Sequence, residues 1–175
     1  ETAQVMTGGP ALVERALRSR PTKSALGGAA VHAKSGVVDN IAADEDDAFR
    51  QIRRFLGYLP SHVDERAPRV QCTDPADRME QELLGIVPRA SNKSFDARLI
   101  LEMVLDQGSV FEIGAGFGRS QICALARLAG QPVGVLINNN KIYAGSMTAQ
   151  AAQKYRRFVE LCDLFHLPVI NFVDQ

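Results

Sequence analysis

The chain has 175 residues and a mass of 19.1 kDa, enough for one ordinary domain or for parts of two. At 46% hydrophobic and 23% charged, its composition excludes a disordered or low-complexity chain. Twenty Lys+Arg balance twenty Asp+Glu, so it lacks the surplus positive charge of a protein that coats nucleic acid or anionic lipid, and its longest apolar runs are too short to cross a bilayer.

A short helix is expected after Pro10, carrying Leu12, Val13, Ala16 and Leu17. Gly36-Val37-Val38-Asp39-Asn40-Ile41 then reads as a short apolar strand or turn. The clearest helix covers residues 45–59, where Ala48, Phe49, Ile52, Phe55, Leu56 and Leu59 form one stripe opposite Asp47, Arg50, Gln51, Arg53 and Arg54. Asp44 is its expected N-cap, acids crowd its first turn, and Pro60 ends it. Residues 61–93 lose this regularity. Pro68, Pro75 and Pro88 interrupt a polar stretch that reads as an extended linker with one helical turn near Leu83.

Order resumes with Asp96 as a cap, a helical face of Leu99, Ile100, Met103 and Val104, and Gln107-Gly108 as a stop. Residues 110–113 form a short apolar run before a glycine-rich turn. Residues 121–129 alternate Ile122, Ala124, Ala126 and Leu128, a pattern that fits either a strand or an Ala-rich helix. Pro132-Val133-Gly134-Val135-Leu136-Ile137 has the continuous apolar character of a strand buried on both faces, and residues 168–173 repeat it. Between these two, Ala152, Tyr155, Phe158, Val159, Cys162 and Phe165 recur at helical spacing. A strand, crossover helix and strand define an α/β class. Cys72, Cys123 and Cys162 are odd in number and widely spaced, which suits free thiols, and no Cys or His pair has metal-ligand spacing.

Val110-Phe111-Glu112-Ile113-Gly114-Ala115-Gly116-Phe117-Gly118 matches the strand and glycine loop of an S-adenosylmethionine methyltransferase. That reading needs an acid at the end of the next strand to grip ribose hydroxyls, and Asn138-Asn139-Asn140 stands there instead. The methyltransferase is therefore a remote alternative, and a plain turn is the favoured account.

Across its whole length the chain resembles the carboxyltransferase (beta) subunit of biotin-dependent acyl-CoA carboxylases of the propionyl- and acetyl-CoA type. The resemblance runs through Thr7-Gly8-Gly9-Pro10, Leu26-Gly27-Gly28-Ala29, His32, Ser35-Gly36-Val37-Val38-Asp39, residues 44–48 and Tyr58-Leu59-Pro60-Ser61. It continues through Ile86-Val87-Pro88, Phe95-Asp96-Ala97-Arg98, Gly116-Phe117-Gly118-Arg119 and residues 130–135. Arg157-Phe158, Cys162-Asp163, Phe165, Pro168 and Phe172-Val173-Asp174 close it. Its strength lies in order and spacing rather than in any one motif.

The resemblance implies a crotonase-like fold in an internal piece of a longer chain. Residues 1–66 would end the N-domain, 67–93 would link, and 94–175 would begin the C-domain. It implies transfer of a carboxyl group from carboxybiotin to the α-carbon of a short acyl-CoA, propionyl-CoA or acetyl-CoA. A biotin-dependent decarboxylase and a catalytically silent structural relative are the alternatives. The implied partners are a biotin carboxylase with its biotin carrier, and further copies of the chain in a homo-oligomer whose active site lies at the dimer interface. The implied setting is bacterial cytoplasm or mitochondrial matrix. Two pairs of oxyanion-holding amides are expected before Glu1 and after Gln175, so no catalytic residue is assigned within the chain. Gly27, Gly28, Ser35 and Gly36 are candidates on the acyl-CoA side, against a turn that packs the domain's tail. Ala144, Gly145 and Ser146 are candidates on the biotin side, as an opening of the crossover helix whose free N–H groups face the cleft, against a plain helix cap. Met147-Thr148 departs from the family's leucine-aspartate. His32 reads as a hydrogen-bonded structural residue, and Lys154, Arg156 and Arg157 as a solvated helix face or a contact for CoA phosphates.

Overall fold

The computed structural model describes residues 3–75, 77–90 and 92–174; the chain ends Glu1 and Gln175, beyond which the oxyanion-holding amides are expected, lie outside the described residues. The centre is a four-stranded sheet of β1 (Phe111–Ile113), β2 (Gln121–Leu128), β3 (Gln131–Asn138) and β4 (Val169–Phe172), in that spatial order. The first three strands are antiparallel, and β4 joins β3 in parallel after the crossover helix α7 (Ala149–Leu164). The ambiguous segment 121–129 is thus a strand. Its register sets Ile122 against Ile137 and Ala124 against Val135, so small and β-branched side chains meet across the ladder.

The period of two sorts the sheet's residues into two cores. Ile122, Ala124, Ala126, Val133, Val135 and Ile137 face α6 (Ala97–Val104), and Cys123, Leu125, Leu136 and Phe111 face α7 through Phe158 and Cys162. β3 is buried on both faces, as its apolar run predicts. Asp96 caps α6 through the N–H of Arg98. The buried edge of α6 is Ala97 and Leu101 with Leu105 just beyond, whereas Leu99 is exposed. This corrects part of the expected face of Leu99, Ile100, Met103 and Val104: Ile100 packs against the core and Met103 is half-buried, but Leu99 and Val104 are exposed. Apolar residues at 99–101 and 103–105 surround the axis, so periodicity alone did not choose between them. The helix also stops at Val104, before Gln107-Gly108.

Ahead of this unit come α1 (Pro10–Leu17), α2 (Lys23–Gly27), α3 (Ala29–Ser35) and α4 (Glu45–Leu56). Asp44 caps α4 by accepting from the N–H of Asp47 at 2.8 Å, and Glu45, Asp46 and Asp47 complement its positive end. The helix ends at Leu56 rather than Leu59, and its stripe is only partly covered: Phe49, Ile52 and Leu56 are exposed. Contact with the sheet is concentrated past its C-terminus, where the Tyr58 ring stacks on Phe111 and Arg127 lies over Tyr58. Residues 37–41 form no strand. The segment between Ser61 and Phe95 is irregular where described, apart from the single turn α5 (Leu83–Ile86). No helix among the described residues is long and apolar enough to span a membrane.

Candidate functional site

The glycine loop after β1 leads into an antiparallel strand and not into a helix, so it lacks the helix N-terminus on which a methyl donor's site is built. Its acid is otherwise engaged. Arg98 grips Glu112 with two parallel bonds, Nε to Oε2 at 2.7 Å and Nη2 to Oε1 at 2.8 Å. Beside them Lys154 is buried on α7 and donates from Nζ to the carbonyl of Gly114 at 3.1 Å. Burial lowers the lysine's pKa, because the charged form loses hydration. Lys154 therefore belongs to no solvated basic face. Arg157 is engaged too, with Gly36 O at 2.7 Å and both Asp39 oxygens at 3.2 Å, and Arg156 pairs with Glu160.

The four acyl-CoA-side candidates fall around α3. Gly27 ends α2, and Val5 donates its N–H to the Gly27 carbonyl at 2.8 Å. A Cβ on Gly27 would lie 2.4 Å from the carbonyl oxygen of Val5, so only glycine permits this approach. Gly28 separates the two helices and N-caps α3. Ser35 Oγ donates to the carbonyl of His32 at 3.1 Å, and His32 Nε2 donates to the carbonyl of Val5. His32 thus ties the N-terminal segment to α3. Gly36 ends α3 in the left-handed region (φ 78°), where the N–H groups of Val37 and Val38 close onto His32 O.

The three biotin-side candidates do not open the crossover helix. Ala144 and Gly145 lie in a separate turn, residues 143–145, which Ser146 follows, and α7 begins at Ala149 behind its own cap, Thr148, whose Oγ1 accepts from Ala151 N at 3.1 Å. The N–H groups of Gly145 and Ser146 are used within that turn, by Ile142 O and Tyr143 O. What sets it apart is handedness: Tyr143, Ala144 and Gly145 have φ of 49°, 50° and 75°. A left-handed residue other than glycine costs about 1–2 kcal/mol, so Tyr143 and Ala144 together hold about 2–4 kcal/mol of backbone strain. Side chains from two strands restrain it. Gln121 and Asn138 both donate to the Gly145 carbonyl, and the Tyr155 hydroxyl on α7 donates to Gln121 Oε1 at 2.7 Å.

Next to this turn lies a cleft of about 980 Å³, bordered by Lys34, Arg119, Ser120, Tyr143, Thr148 and the first residues of α7. Lys141 on its rim is already bonded to Asp96, whose carboxyl is held below its usual pKa chiefly by that bond. Sequence reasoning gave Gln121 and Ser120 no role, and took Asn138 and Asn139 only as the absence of a ribose-gripping acid. The available signal was the run of three asparagines at a strand end, where side-chain amides satisfy loop carbonyls; Asn139 indeed donates to Arg119 O at 2.9 Å. Away from this cleft, Cys72, Asp74 and Asp106 bring their ligand atoms within 4.8 Å of one another. Both carboxylates are engaged instead: Asp106 accepts from the N–H groups of Ala129 and Gly130, and Asp74 from the N–H of Gln107 and the Arg78 guanidinium.

A carboxyl transferase domain model matches residues 1–175, and the chain belongs to that family. It is 36% identical over 174 residues to the methylmalonyl-CoA decarboxylase subunit alpha of Veillonella parvula, covering 99% of this chain and 34% of the relative. It is 35% identical over 175 residues to the mitochondrial propionyl-CoA carboxylase beta chain of Homo sapiens, covering 99% and 32%. Among solved structures, the transcarboxylase 12S hexamer core with hydrolysed methylmalonyl-coenzyme A superposes with a TM-score of 0.92 at 30% identity, over 98% of this chain and 34% of that one. The fold is the crotonase-like α/β fold of carboxyltransferases. The chain spans about a third of the length of these relatives.

Proposed function

We propose that the chain is part of a biotin-dependent acyl-CoA carboxyltransferase, which moves a carboxyl group from carboxybiotin to the α-carbon of a short acyl-CoA. Propionyl-CoA and acetyl-CoA are the favoured acceptors. The observation that carries this reading is the likeness to a propionyl-CoA carboxylase beta chain along the whole chain, together with the strained turn beside an open cleft. In this reading residues 1–66 end one domain, 67–93 link, and 94–175 begin the next. Gly27, Gly28, Ser35 and Gly36 support the acyl-CoA side, and Ala144, Gly145 and Ser146 the biotin side. The chemistry asks for fixed donors aimed at the enolate oxygen of the thioester and at the ureido oxygen of biotin. Rigid glycine junctions such as 27–28, and a restrained turn such as 143–145, would support such donors by fixing the backbone around them. The protein works as a homo-oligomer with a biotin carboxylase and its carrier as partners.

Decarboxylation of a carboxyacyl-CoA is the second reading, favoured by the 36% identity to a methylmalonyl-CoA decarboxylase subunit. One assay decides between them. The intact subunit is given carboxybiotin with a panel of acyl-CoAs, and separately biotin with carboxyacyl-CoAs. Carboxylated product that accumulates in the first arm supports carboxylation. Transfer in the second arm alone supports the decarboxylase, and no transfer in either arm overturns both.

A further inference from the structure

The cleft beside the strained turn has a chemistry of its own. Helix α7 is 16 residues long, and no acid stands in its first turn. Its cap, Thr148, is neutral and satisfies Ala151, while Thr148 O takes Ala152. Among the described residues the N–H groups of Ala149 and Gln150 have no partner, and both residues border the cleft. Two cations on the same cleft, Lys34 and Arg119, carry no ion pair or side-chain hydrogen bond among the described residues.

A second observation is independent of the helix end. Ser120, which lines the cleft, is 1% exposed, and its Oγ has no hydrogen-bond partner among the described residues. Behind it, Oδ1 of the buried Asn139 also lacks a partner among the described residues, and the Asn139 N–H bonds the Ser120 carbonyl. A buried hydroxyl without a partner costs about 1–3 kcal/mol, and such groups are rare in native interiors. A ligand oxygen entering the cleft would satisfy the hydroxyl.

We infer that this cleft is a carboxylate site, formed by the α7 N-terminus, Arg119, Lys34 and Ser120 Oγ, and that it holds the carboxyl group being moved. The inference rests on the carboxyltransferase reading for the identity of its ligand, but not for its existence. A carboxylate matches the donor set: two backbone N–H groups, one hydroxyl and a guanidinium can share two oxygens. Lys141 adds little, because Asp96 already balances it. The nearby turn 143–145 lies on the proposed biotin side, so the carboxyl group arrives on either of two carriers, the biotin or the carboxyacyl thioester.

The test uses the intact subunit and its Arg119→Gln, Lys34→Gln and Ser120→Ala variants. Titration calorimetry compares methylmalonyl-CoA with propionyl-CoA, which differ by one carboxylate, and the KM for carboxybiotin is measured alongside. Loss of a charge-assisted bond in Arg119→Gln is expected to reduce affinity for the carboxylated ligand about tenfold or more, and propionyl-CoA binding by less than twofold. Ser120→Ala is expected to lose a few-fold, and Arg119→Lys to recover part of the loss. An effect confined to methylmalonyl-CoA assigns the carboxyl to the acyl carrier, and one confined to the KM for carboxybiotin assigns it to biotin. Equal losses for methylmalonyl-CoA and propionyl-CoA would mean contact with the CoA phosphates and would overturn the carboxylate site.

Free malonate separates this inference from the reading it rests on. Malonate that binds the wild type and not Arg119→Gln upholds the site even if no acyl-CoA is turned over, in which case the proposed function alone fails. Absence of malonate binding, with no carboxylate-dependent change in any variant, refutes the site.

Discussion

Gly36→Ala probes how the α3 end is locked to the glycine loop. Gly36 sits at φ 78°, where alanine costs about 1–2 kcal/mol relative to its preferred backbone. A Cβ there would also lie 2.9 Å from Cδ1 and Cγ of Phe117, a ring that is itself buried. Ordinary carbon contacts are about 3.5–4.0 Å, so the ring must retreat by about 0.6–1 Å. Such overpacking adds about 1–3 kcal/mol, which brings the total to about 2–5 kcal/mol. The N–H groups of Val37 and Val38 bond His32 O at 3.1 and 3.2 Å, so hydrogen exchange at these two positions in the intact subunit reads the cap directly. Exchange is expected to accelerate by about thirtyfold or more. In a Phe117→Ala background only the backbone share should remain, leaving a coupling of about 1–3 kcal/mol between the two substitutions. Acceleration below threefold, or an undiminished effect without the ring, would refute this account of the junction.

Lys154→Met removes a buried cation while leaving the Gly114 carbonyl its bond from Phe117 N. Burial depresses the lysine's folded pKa below 10.5, with Arg98 adding repulsion and Glu112, Asp39 and Cys123 opposing the shift. The folded protein therefore binds fewer protons than the unfolded chain between those two pKa values, and wild-type stability gains across that window as pH rises. Urea midpoints from pH 7 to 10.5 should show the advantage of Lys154→Met shrinking with pH, and parallel curves would contradict it. Burial raises the Cys123 thiol to about 12 and the Cys162 thiol to about 11. Iodoacetamide at pH 8 should accordingly label half-exposed Cys72 first under native conditions, as read by mass spectrometry. Ala144→Gly relieves a left-handed alanine at the expense of chain entropy, so thermal unfolding should show stabilisation of about 0.5–1 kcal/mol. A lower kcat in the same variant would show that the turn's rigidity serves the reaction.

The legible parts of this fold were those whose burial repeats with a fixed period. Residues 132–137 announce a strand because β3 is covered on both faces; 168–173 also form a strand, but β4 alternates exposed and half-buried residues, which corrects the expectation of burial on both faces. Asp44 and Asp96 announce helix starts because a cap is a local contact. Residues 121–128 were ambiguous for a physical reason. Alternating Ala with larger residues satisfies both periods, and only the pairing of Ala124 with Val135 and of Leu125 with Gly134 selects the strand. The helices α2 and α3 escaped notice because each is short and they meet at Gly27-Gly28, which the sequence offers as a turn.

The form of the candidate turn was not legible in the sequence. Residues 144–146 fall beside the cleft, yet nothing in Tyr143-Ala144 forecasts two left-handed residues, since neither type favours that region. The conformation is imposed from outside, by Gln121 and Asn138 pulling on one carbonyl and Tyr155 fixing Gln121. These groups lie far apart in sequence and converge only once β2, β3 and α7 are assembled, so local propensity could not have found them. The same assembly gathers the first residues of α7, Arg119 and Ser120 around one cleft, and among the described residues the first N–H groups of α7, the Arg119 side chain and the Ser120 hydroxyl have no partner there. Strain held by tertiary contacts beside unsatisfied donors is what a binding site requires, because the ligand and not the fold then supplies the missing bonds.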